Sequence, residues 1–205
     1  MKHAAILAIL AASVTVQARQ QNRETLTVYL QNGAGISGDT RIRATMLASS
    51  MFASIGVDSD WRNGEPSTST CKQAVAINIV AHAEVSASPT ALAYAEPYEG
   101  VHIVVFWDRI NRASIPTELL AHVMVHEITH ILQGIARHSD EGIMKARWTN
   151  EDRAAMKAKP LRFTADDVEL IATGMNARAA HKTQPADPGA TTLAATTAAI
   201  EVASR

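Results

Sequence analysis

The sequence predicts an α+β fold: one domain in which a sheet packs against two long helices, followed by a small helical C-terminal part. Three observations carry that reading. Alternating or β-branched runs mark strands at 24–30, 73–81 and 101–107. Two stretches, 39–55 and 116–133, place apolar residues at helical spacing. The order is strand, helix, two or three strands, long helix, then a smaller helical part.

Each element has its own justification. "ETLTVYL" sets Leu26, Val28 and Leu30 on one face and Thr25, Thr27 and Tyr29 on the other, the period of a half-buried strand. The turn "QNGAGISG" leads into a helix from Asp39 to Ile55, where Ala44, Leu47, Ala48, Met51, Phe52 and Ile55 form a stripe that a sheet face can cover, and Gly56 supplies a stop. "VDSDW" reads as a short strand and "RNGEPSTST" as a loop. "QAVAINIVA" alternates Val75, Ile77 and Ile79 as a strand, and "HAEVSASPTALAYAEPYEG" reads as a long irregular connection. "VHIVVFW", residues 101–107, is apolar on both faces. Pro116 suits a first helical turn, and "TELLAHVMVHEITHILQ" then runs helically to a cap at Gly134. Thr164 with Asp167 has the form of a capping box for a last helix, expected to run to about Thr173 and stop at Gly174.

The ends read differently from the middle. Residues 1–18 have a charged Lys2, an apolar run from Ala4 to Val16 and small residues at Val16-Gln17-Ala18, the layout of a secretory signal peptide. That run is shorter than the ~20 residues needed to span a bilayer. The expectation is a secreted or periplasmic protein without a membrane partner once the signal is removed. Residues 179–205, rich in Ala, Thr and Pro, bury too little apolar surface to offset chain entropy and read as a disordered tail. The domain is expected over 19–178. With a net charge of −1 and no Lys/Arg cluster, nucleic acid is not an expected partner. Cys71 is the only cysteine and reads as a buried small side chain; no internal disulfide is available, which leaves packing or a metal to stabilise an exported domain.

The chemistry is concentrated in "HEITHILQGIARHSDEGIMKARW", residues 126–148. His126 and His130 are four apart, so on a helix they share a face at a pitch of ~6 Å that lets two imidazoles converge on one Zn²⁺. Glu127 is offset by one position and can hold a water on the metal's open side, the physical content of H-E-x-x-H. Leu119, Leu120, Val123, Met124, Ile128, Ile131 and Leu132 surround the stripe of His122, His126, Glu127 and His130. Burying those polar groups is costly without a partner, and a metal would be one. His122 lies ~12 Å along the helix from His130, too far to share an ion with it, and reads as a core histidine. For the third ligand His138 is favoured, because Gly134 can turn the chain back to the site. Glu151, Asp166, Asp167 and Glu169 are the rivals, although their surroundings read as helix starts.

This stretch resembles the zincins and, within them, the metzincins, in which two histidines on a helix, a glycine turn, a third histidine and a methionine turn form the site. The resemblance implies His126, His130 and His138 as zinc ligands, Glu127 as the catalytic base and Met144 as the turn methionine beneath the metal. "HSDEGIM" is similar in style to the matrixins. The likeness covers roughly residues 24–148, and only the motif segment is specific. The spacing departs from the metzincin pattern: glycine is four after His130, and His138 four after Gly134, two residues more in total. No tyrosine follows Met144 closely, and Trp148 reads as a packing residue.

The resemblance further implies a metzincin-like mixed sheet with "VHIVVFW" as its edge strand, to which an extended polypeptide substrate pairs; an interior strand is the ordinary alternative. The expected function is that of a secreted, monomeric zinc metalloendopeptidase whose zinc-bound water is activated by Glu127. The alternative is a non-catalytic zinc-binding or protein-binding module on a zincin scaffold.

Overall fold

The computed structural model describes residues 25–67, 74–95 and 101–183. The expected signal peptide, Cys71 and the tail beyond residue 183 lie outside these residues. The chain runs β1 (Thr25–Asn32), α1 (Gly38–Ala53), β2 (Asp58–Asn63), β3 (Val75–Val80), β4 (Ala93–Ala95), β5 (His102–Phe106), a short α2 (Trp107–Ile110), α3 (Pro116–Gln133), α4 (Asn150–Ala158) and α5 (Ala165–Thr183).

The strands form one five-stranded mixed sheet in the order β2-β1-β3-β5-β4. All neighbours are parallel except β4, which pairs antiparallel to β5 through Ala93↔Val105, Tyr94↔Val104 and Ala95↔Ile103. The alternation legible in the sequence decides which face is covered. Leu26, Val28, Leu30, Val75, Ile77 and Ile79 are buried, while Thr27, Tyr29, Ala76 and Asn78 on the other face are half-buried. α1 lays Ala44, Ala48, Met51 and Phe52 into the core and packs on α3. Ser37 caps α1 by accepting a hydrogen bond from the Thr40 N–H.

α3 is the structural centre. Every residue from Leu119 to Leu132 is buried, because the helix lies between the sheet and the C-terminal helices. Pro116 occupies its first turn and Gly134, at φ 66°, ends it, as expected.

Two expectations are corrected. Among the described residues the edge strands are β2 and β4, not "VHIVVFW"; β5 is paired on both sides, by β3 and β4. Its apolar character on both faces is that of an interior strand. β4 lies in the stretch read as irregular, where "AYA" carries little strand propensity. Its small Ala93 and Ala95, fully buried, let the strand settle directly on α3. Gly174 does not stop the last helix, which continues to Thr183. Instead it is a contact point: a Cβ there would meet the Leu132 carbonyl oxygen at 1.7 Å, so only glycine allows α5 to cross the end of α3 this closely.

Candidate metal centre

α3 presents His126 and His130 from one face, and the glycine cap turns the chain so that His138 returns to them. The Gly134 N–H donates to the His130 carbonyl at 2.9 Å, closing the last turn before the chain reverses. One ring nitrogen from each of His126, His130 and His138 falls within 4.8 Å of the others. The two extra residues relative to the metzincin spacing are thus absorbed without separating the histidines.

Backbone carbonyls set the ring tautomers. His126 Nδ1 lies 2.9 Å from the Ile143 carbonyl oxygen and His130 Nδ1 3.2 Å from that of Ile135. A carbonyl only accepts, so in each ring Nδ1 carries the proton and a neutral ring presents a bare Nε2. Those Nε2 atoms face each other at 3.0 Å. Burial lowers the His126 pKa well below its usual value, with the neighbouring His130 adding to the effect, and takes His130 to about 4. Both rings are therefore neutral at pH 7, and two lone pairs converge. Nitrogens bound at ~2.1 Å to one tetrahedral zinc sit about 3.4 Å apart, close to this arrangement. His138, with its pKa lowered by burial, also has a buried Nε2 without a hydrogen-bond partner among the described residues.

Glu127 is fully buried, and neither carboxylate oxygen has a partner among the described residues. Burial alone raises its pKa well above the usual carboxylate range. A polar group so placed is expensive unless a cation or substrate meets it. Three converging nitrogens fit a zinc ion in ligand chemistry, and a cation held there would favour the ionised form of Glu127.

The surrounding residues hold this arrangement. Ile143 and Met144 are fully buried beside His126, and the Met144 carbonyl accepts from the Ser139 N–H at 2.8 Å, tying the methionine segment to the residue after His138. Trp148 packs edge-on against both His122 and His126, as its packing role required. His122 is a satisfied core histidine: its Nδ1–H donates to the Glu118 carbonyl at 2.7 Å and its Nε2 accepts from the Leu161 N–H at 3.1 Å.

Sequence reasoning missed the anchor of the His138 loop. Asp167, fully buried, accepts from Ser139 Oγ at 2.7 Å, Arg137 Nη1 at 2.9 Å and the Thr164 N–H at 3.0 Å. It therefore grips the residues on both sides of His138. Burial pushes its pKa up, but the bonds from Ser139, Thr164 and Arg137 outweigh this and hold it below the usual value. The Thr164–Asp167 capping box was legible, but the second set of bonds crosses about thirty residues of chain and leaves no local signal. Among the rival ligands, Asp167 is committed to this anchor, Asp166 pairs with Arg137 at 3.5 Å, and Glu151 and Glu169 are exposed.

No protein-family model matches the chain, and no curated protein matches it in sequence. Solved structures do. Archaemetzincin from Methanopyrus kandleri superposes with a TM-score of 0.52 over 74% of this chain and 96% of its own, at 11% identity. Metalloproteinase-II from Bacteroides fragilis gives 0.48 over 75% of this chain and 54% of its own, also at 11% identity. The fold is similar to that of archaemetzincin.

Proposed function

We propose that the protein is a zinc-dependent metalloendopeptidase. The observation that carries this is the convergence of one ring nitrogen from each of three histidines, with Glu127, the residue after His126, buried and without a hydrogen-bond partner among the described residues. His126, His130 and His138 would hold the ion through Nε2, the nitrogen left bare by the backbone bonds at Nδ1 in the first two. Bound there, zinc supplies a Lewis acid and a water with a pKa near ~7. Glu127 accepts a proton from the attacking water on a carboxylate oxygen and delivers it to the departing amine. The apolar wall of α3 keeps bulk water from competing for that carboxylate. β4, an end strand of the sheet among the described residues, would offer backbone groups to an extended polypeptide lying over α3. Export to a secreted or periplasmic location, argued from residues 1–18, remains part of the proposal.

The test is metal content and peptide cleavage by the full chain, wild type and Glu127→Gln. About one zinc per chain in both, with cleavage in the wild type only, supports the reading. Zinc without cleavage in the wild type supports the non-catalytic zincin module. A wild-type chain that takes up no zinc sinks both.

A further inference from the structure

A second concave site lies on the same side of α3 as the histidines. It is a cavity of about 220 Å³ whose lining includes Leu92, Arg109, Arg112, Ala113, Leu119 and Arg153. Among the described residues that line it, three are arginines and none is acidic. Arg109 is fixed in the wall: its Nη1 donates to the Ser88 and Ala91 carbonyls and its guanidinium lies over the Phe106 ring, which leaves its other N–H groups unassigned. Arg112 is largely exposed and reaches only a long ion pair, 3.9 Å, to Asp108. The Nε of Arg153 is buried and has no hydrogen-bond partner among the described residues. Three guanidinium groups around one cavity, with no acidic side chain lining it among the described residues, suit an anion, and their planar forks match a carboxylate.

The cavity is positioned to read a substrate at the metal centre. Leu119 in its wall is seven residues before His126, so the two share a face of α3 at a separation of ~10 Å along the axis. That is the span of about three residues of extended peptide. Leu92, also in the wall, immediately precedes β4. A peptide added antiparallel to β4 runs from the Ala95 end to the Leu92 end, and so carries its later residues toward the arginines.

We propose that this cavity binds a carboxylate of the substrate, giving preference to peptides with an acidic group within a few residues after the cleaved bond. The carboxylate is either an acidic side chain or the peptide's own C-terminus. The inference rests on the peptidase reading for its link to cleavage, but the cavity's affinity for a carboxylate is separately measurable.

The experiment uses the zinc-loaded full chain, wild type and Arg153→Gln, with three peptide sets: Glu-containing and amidated, the Gln isosteres, and Glu-free peptides with a free C-terminus. In parallel, N-acetylglutamate amide and its glutamine counterpart are titrated against both proteins by NMR. The expected result is kcat/KM about tenfold or more higher for one carboxylate-bearing set than for the Gln isosteres. In Arg153→Gln that ratio falls toward one. The set that wins identifies the source of the carboxylate. Equal cleavage of all sets by the wild type overturns the proposal and leaves the peptidase reading standing. If no peptide is cleaved, the peptidase reading fails. The titration then decides: shifts at cavity residues with the glutamate probe, lost in Arg153→Gln, uphold the carboxylate site, and their absence overturns it.

Discussion

Replacing Asp167 by Asn tests whether a carboxylate remote in sequence from His126 and His130 governs the histidine cluster. The side chain accepts three hydrogen bonds in a fully buried position, from Arg137, Ser139 and the Thr164 N–H. Asn is nearly isosteric but puts an NH₂ where an oxygen stood, so at least one of these donors meets a donor. Losing a charge-assisted bond while leaving a buried donor unsatisfied costs about 2–4 kcal/mol, a large share of a typical ~5–15 kcal/mol total. Urea unfolding of the full chain at pH 7 measures the loss. The pH dependence has a definite sign: a carboxylate whose folded pKa is depressed stabilises above its unfolded value and loses that contribution as pH falls through the folded one. The gap between wild type and variant should therefore narrow as pH drops below ~4. Since the same bonds flank His138, zinc affinity should fall about 10–100-fold, as for other supports behind metal ligands. A loss below ~1 kcal/mol together with unchanged zinc affinity would refute the anchoring role.

Other perturbations follow from the same geometry. Gly174→Ala should destabilise the chain by about 1–3 kcal/mol in urea unfolding, although alanine is favoured over glycine by ~1 kcal/mol in a helix interior; an equal or higher midpoint would show that α5 does not cross α3 as described. His138→Ala should take zinc binding down by orders of magnitude in competition with a chelator, and retention of wild-type affinity would reassign the third ligand. Asp152→Asn removes the negative charge from the acceptor of Lys145 Nζ at 2.6 Å and of the Thr149 N–H at 2.7 Å, and should cost about 1 kcal/mol at pH 7. Because the Asp152 pKa is also depressed, on balance of burial against its bonds to Lys145 and Thr149, that cost should fade on acidification; a pH-independent difference would contradict the assignment.

Legibility in the sequence tracked how local each determinant is. The strands β1 and β3 and helices α1 and α3 rest on periodic burial, and their apolar residues sit in the core as the spacing implied. The pairing of His126 with His130 follows from helical pitch, and the Gly134 cap from its backbone conformation. The return of His138 was argued from chain reversal and is seen in the structure. What escaped depends on partners distant in sequence. β4 is a strand because β5 and α3 accept it, not because "AYA" prefers to be one. Gly174 looks like a helix end until the Leu132 carbonyl opposite it is known. The Arg137–Ser139–Asp167 anchor and the arginine cavity are assembled from separate segments with no shared motif.

The two rings on α3 are oriented by the carbonyls of Ile135 and Ile143, and every amino acid supplies a carbonyl. Their orientation is therefore invisible to drift in side chains, provided the main chain keeps its course. Supports of this kind let most side chains change while the ring nitrogens stay aimed at one point. A fold shared with archaemetzincin at 11% identity is compatible with such a design.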